Sequence, residues 1–237
     1  MLFRRVLAGV LAAFWGLAWF GLIDLLTAVL RDPDFTHGYA LEMGWGLFHL
    51  VLVAGPLVAL VVRPRGQVPV AMLAVATAAV LLAALWGWSG RVALEGLGLL
   101  VTTLLMGGRP SIPRVRPALV PAVLALVAVS FALWYAATWV NAIDLTPSLD
   151  DITNGVSHYP LQGAFGFALV GNCALVAFTR SRLAGLSVGV CAVGFAIESL
   201  VDPDLDASVG TLGGVLLLVW GAAVAASTFS EKVAVQA

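Results

Sequence analysis

The chain has 237 residues, 61% of them apolar and only 11% charged, with a mean hydropathy of +1.03 and a formal net charge of -1. That leaves too little polar surface for a water-soluble globule, and the composition points to an all-α polytopic membrane protein. One Lys stands against eleven Arg among the twelve basic residues, and no basic patch, nucleotide-binding loop or soluble domain is present, which excludes nucleic acid and nucleotide as partners.

Arg4 and Arg5 followed by apolar residues resemble a secretory leader. The apolar run continues to Leu30 without a small-residue cleavage site, so it reads as the first spanning helix. Eight segments meet or approach the roughly 20 apolar residues that a span needs. They are 6–30, 40–62, 68–88, 92–106, 118–141, 161–178, 183–200 and 208–227, the fourth and seventh being short. Pro33, Pro64, Pro110, Pro113, Pro117, Pro147 and Pro203 fall in the connections, Pro160 suits a first helical turn, and Pro56 predicts a kink.

With the N-terminus inside, Arg4, Arg5, Arg63, Arg65, Arg109, Arg114, Arg116, Arg180, Arg182 and Lys232 fall on the cytoplasmic side, against Arg31 and Arg91 outside. The bias predicts a multi-pass protein of the bacterial plasma (inner) membrane with both termini cytoplasmic.

An ungapped shift of 120 positions superimposes Trp19 on Trp139, Ile23-Asp24-Leu25 on Ile143-Asp144-Leu145, Tyr39 on Tyr159, Leu41 on Leu161 and Gly46 on Gly166. This predicts two parallel four-helix repeats, 1–116 and 117–237, related by an axis along the membrane normal.

On this topology every acid except Glu231 lies at or above the outer half of the bilayer. Glu42, Trp45, Gly46 and His49 follow i, i+3, i+4, i+7 spacing and share one helix face, with His49 about 10 Å deeper than Glu42. An ionisable group at that depth has to face the bundle interior or a water-filled cavity. The duplicated face carries Gln162, Phe165, Gly166 and Leu169, so the acid and the buried His belong to the first half alone. Asp24, Glu42, His49 and Glu198 are the candidate catalytic residues. Asn141, Asp144, His158, Gln162 and Trp45 are candidates for substrate binding in an outward-facing acidic cavity, with His158 and His37 in outer loops. Asn172 is expected to hydrogen-bond between helices.

Metal-ligand spacings of known type are absent, as are a second deep His for haem and a nucleophile elbow, so neither metal nor cofactor is expected. Cys173 and Cys191 lie inside apolar runs and read as small buried residues. The expected partners are membrane lipid and a protein partner or second copy of the chain. Three functions fit: foremost a structural or accessory membrane subunit, then a small-solute or ion permease, then a membrane-embedded enzyme with an extracytoplasmic Glu/His/Asp site.

The string NGVSHYPLQGAFG, 154–166, resembles the His-bearing helix start of small polytopic membrane proteins of high-GC Gram-positive bacteria whose function is uncharacterised. The acid-rich VDPDLDASVG, 201–210, extends the resemblance, which implies a bacterial plasma-membrane location and no particular activity.

Overall fold

The computed structural model describes residues 1–32, 38–107, 117–140, 142 and 158–230. Among them the regular structure is helical, because in hydrocarbon a segment has to satisfy its own backbone amides. The helices are α1 (Leu2–Leu30), α2 (Tyr39–Val62), α3 (Gln67–Trp86), α4 (Gly90–Leu105), α5 (Leu119–Trp139), α6 (His158–Thr179), α7 (Arg182–Val201) and α8 (Gly210–Ser230). Seven are long and apolar enough to cross a membrane. The other, α4, has 16 residues and a length of about 24 Å, short of a 30 Å hydrocarbon core.

Four helices form the inside of the bundle. Over an 18-residue apolar stretch of each span, 61, 56, 72 and 61% of residues are buried in α2, α3, α6 and α7, against 22% in α1, 28% in α5 and 22% in α8. The outer helices turn apolar side chains outward, among them Val10 and Leu17 on α1, Leu94 and Val101 on α4, Leu126 on α5 and Leu216 on α8. That surface suits lipid and not water. The principal packing partners are α1 with α2, α3 with α4, α5 with α6, α7 with α8, α2 with α7, and α3 with α6.

Two of the spans are irregular. In α1 a π-helical turn, Phe14–Ala18, leads into a break at Phe20, whose φ of 65° lies in the left-handed region that a bulky residue rarely adopts. The helix restarts as an outer arm, Gly21–Leu30. In α2 a π-helical turn covers Phe48–Ala54, directly before Pro56. The proline has no N–H to donate and its ring crowds the carbonyl four residues earlier, so the turn ahead of it widens, which is the form the expected kink takes. Close approach of the α1 outer arm to α2 depends on Gly46, where an added Cβ would meet the Leu25 backbone nitrogen at 2.6 Å.

Candidate functional site

Three helix starts meet in the bundle. Asp24 lies in the first turn of the α1 outer arm, Glu42 in the first turn of α2, and His158 is the first residue of α6. The N–H-rich end of a helix favours negative charge, which eases the burial of the two carboxylates. His158 Nδ1 is 3.1 Å from Glu42 Oε1, and one ligand-type atom from each of Asp24, Glu42 and His158 lies within 4.8 Å of the others. The three residues are 3, 4 and 4% exposed, and Asp24 Oδ2 is buried without a hydrogen-bond partner. The Trp45 ring covers the His158 imidazole at a centroid distance of 4.1 Å, and its Nε1 donates to the Trp19 carbonyl at the α1 break.

A second polar pair sits one level deeper. His49 Nε2 is 3.0 Å from Glu95 Oε1, with both side chains fully buried, and His49 Nδ1 is 3.1 Å from the Trp45 carbonyl. A carbonyl only accepts, so Nδ1 carries a hydrogen, and one further proton is held between Nε2 and Oε1. The pair is either imidazolium with carboxylate or imidazole with carboxylic acid. Trp15 stacks on the imidazole, 5.9 Å between centroids and 12° between planes, while donating from Nε1 to Thr102 Oγ1 at 3.0 Å. Glu95 Oε2 is buried without a partner.

The equivalent face of α6 is chemically neutral. Gln162 Nε2 donates to the Leu41 carbonyl at 3.0 Å, and the Tyr135 hydroxyl lies between Gln162 Oε1, at 3.1 Å, and the Ala207 carbonyl, at 2.7 Å. Below this network an apolar cavity of about 230 Å³, lined by Phe131, Phe165, Leu169, Phe195 and Trp220 among others, opens between α5, α6, α7 and α8.

Several expectations change on this geometry. His158 is in the first turn of α6 and buried, not in a loop, because Pro160 is accommodated where its missing N–H costs nothing. Glu198 is not a member of the triplet. Arg31 binds it at 2.8 Å, also pairs with Asp202, and lies over the Tyr39 ring. Glu42 and His49 share α2 but serve different clusters; Asp24, Glu42, Glu95 and Glu198 are buried, whereas Asp32, Asp202 and Asp206 are half-buried and Asp204 is exposed. Asn172 bonds within its own helix, Nδ2 to the Ala168 carbonyl at 2.9 Å, leaving Oδ1 buried without a partner. Cys173 and Cys191 are free and buried. Asn141, Asp144 and His37 lie outside the described residues.

Glu95, Tyr135 and Arg31 were not singled out from sequence. The signal for Glu95 was there: an ionisable residue inside an apolar segment is a site candidate by default. Tyr135 aligns with Trp15 at the shift of 120, and both are hydrogen-bonding aromatics pointed into the bundle.

No family model, curated protein or solved structure matches this chain. The helices define a bundle compatible with a multi-pass membrane protein, and its site is read from its own chemistry.

Proposed function

We propose that this protein is an ion or small-solute permease of the bacterial plasma membrane, loaded from the extracytoplasmic side at Asp24, Glu42 and His158. The observation that carries the reading is the broken first span, which delivers Asp24 to Glu42 and His158 inside the bundle. Helices interrupted at membrane depth recur where transporters bind substrate and coupling ions, and π-helical turns cluster at functional positions. The His49–Glu95 pair beneath shares a proton between Nε2 and Oε1, a group of the type that proton-coupled transport uses. Burying carboxylates costs several kcal/mol each before compensation, and an apolar replacement would stabilise a merely structural subunit. This cost gives the permease reading precedence over the accessory-subunit reading.

The architecture that accompanies it is eight spans in two parallel repeats, 1–116 and 117–237, with both termini cytoplasmic. The packing supports the repeat: exchanging α1–α4 for α5–α8 maps α1 with α2 onto α5 with α6, α3 with α4 onto α7 with α8, and α2 with α7 onto α6 with α3. The positive-inside count supports the orientation. In a Cys173→Ala/Cys191→Ala background, a membrane-impermeant thiol reagent applied to whole cells should label Trp88→Cys and spare Arg65→Cys. The reverse pattern would overturn the orientation.

The functional test is cation and proton flux in proteoliposomes. Wild-type vesicles should exceed empty ones, Glu42→Gln should lose at least about tenfold of the flux, and Glu95→Gln should lose its dependence on a pH gradient. Equal flux in Glu42→Gln and wild type would sink the proposal. The His49–Glu95 pair also has the form of a general acid/base, which keeps a membrane-embedded enzyme as the second reading. Turnover of a lipid-soluble substrate, lost in Glu95→Gln, without flux in the wild type would put it first.

A further inference from the structure

We infer that Asp24, Glu42 and His158 form a binding site for a first-row divalent transition-metal ion, Zn²⁺ or Mn²⁺ in class, with one coordination position left open. The inference deepens the permease reading by naming the solute of that site, and rests on it for the route by which the ion arrives. The metal chemistry itself stands on separate observations.

The first is the donor set. Two carboxylates and one imidazole from three chain segments converge, with the three donor atoms within 4.8 Å of one another and His158 Nδ1 only 3.1 Å from Glu42 Oε1. Donors sharing a tetrahedral ion at about 2.1 Å are separated by about 3.4 Å, so one edge is already short enough, and no edge exceeds that separation by more than about 1.4 Å. The second is the orphaned atom. Asp24 is 3% exposed, and its Oδ2 is buried with no hydrogen-bond partner. In a native protein such an atom calls for an explanation, an ion among them. The third is charge. A divalent cation offsets two carboxylates in full, where a single proton or a monovalent ion leaves one negative charge in a low-dielectric interior.

The imidazole selects within the divalent ions. Ca²⁺ and Mg²⁺ take oxygen ligands, Mg²⁺ keeping several of its waters, whereas imidazole nitrogen suits zinc and its first-row neighbours. Three protein donors, fewer than the four of a closed structural site, leave room for water or an exchanging ligand, as an ion that has to leave again requires. Trp45, tilted by 41° against His158 at a centroid distance of 4.1 Å and itself held by donation to the Trp19 carbonyl, restricts the imidazole ring. The His49–Glu95 pair is a separate unit whose two groups face one another, and it contributes no ligand.

The test is Co²⁺ titration of the purified full chain in detergent after chelator treatment, read by visible absorption and by metal content after gel filtration. One Co²⁺ per chain is expected, displaced by Zn²⁺ and not by Mg²⁺. Asp24→Asn and Glu42→Gln should each weaken binding by about 100-fold or more, and Cys173→Ala/Cys191→Ala should leave it unchanged. Asp24→Asn keeps the side-chain shape and removes no hydrogen bond of Oδ2, so it decides the matter if Glu42→Gln elutes aggregated. Absence of Co²⁺ binding, binding indifferent to Asp24→Asn, or displacement by Mg²⁺ as readily as by Zn²⁺ would each overturn the metal site. Flux measured on the same preparation separates the two proposals. Bound Co²⁺ without any flux retains the site and removes the permease, whereas monovalent-cation flux without Co²⁺ binding does the reverse.

Discussion

Positions 42 and 162 are related by the shift of 120, and the bundle uses them in opposite ways. Gln162 spends both ends of its amide on Leu41 and Tyr135 and ends as a neutral, satisfied crosslink between α6, α2 and α5. Glu42 meets a histidine and a second carboxylate, with one oxygen of Asp24 left over. A satisfied polar network specifies a packing, while an unsatisfied ionisable one stores a cost that a ligand can offset. Both carboxylates of the cluster come from residues 1–116, and residues 117–237 contribute the imidazole of His158 and the neutral crosslink at Gln162.

Substitutions at related positions put the contrast to the test. The largest effect is expected at Gly46, where a Cβ meets Leu25 backbone at 2.6 Å, whereas at Gly166 it meets nothing nearer than the Tyr135 ring at 3.6 Å and Ala132 at 3.7 Å, ordinary contact distances. Gly46→Ala should lower stability in detergent by about 3 kcal/mol, read as a lost or strongly shifted thermal transition. Comparable losses at Gly46→Ala and Gly166→Ala would show that the two crossings are packed alike. Next in size is Gln162→Glu, which removes the donor to the Leu41 carbonyl and should cost about 1–3 kcal/mol. Its reciprocal, Glu42→Gln, should retain the wild-type melting temperature or raise it, since it removes a buried charge. Should Glu42→Gln unfold the protein while Gln162→Glu is tolerated, the assignment of site and support is inverted. Tyr135→Phe should cost about 1 kcal/mol through the bond to Ala207, with no change in flux beyond the loss of folded protein. Gly166→Ala should be smallest, within about 0.5 kcal/mol of wild type.

Composition made the class of molecule legible, because apolar runs near 20 residues have few other uses. Each observed helix overlaps an expected span, and the burial of Glu42 and His49 inside the bundle was legible from their spacing and depth. Encounters between segments were not legible. His158 meets Glu42 across 116 positions of sequence, and His49 meets Glu95 across 46, separations that periodicity within one helix does not report. The break at Phe20 was hidden for a related reason: its sequence, AWFGLID, carries one glycine and no proline, and the strained residue is the phenylalanine, held by its surroundings. The ion pair of Glu198 was not legible either, because its partner, Arg31, belongs to another span.

That break also divides the first span mechanically. Its outer arm is joined to the inner arm at one pivot, Trp19–Phe20, while Arg31 at the far end is fastened to Glu198 and Asp202 on the seventh helix and its outer edge. The arm is therefore pinned at its tip to a helix remote in sequence, and it holds Asp24 one turn from the break.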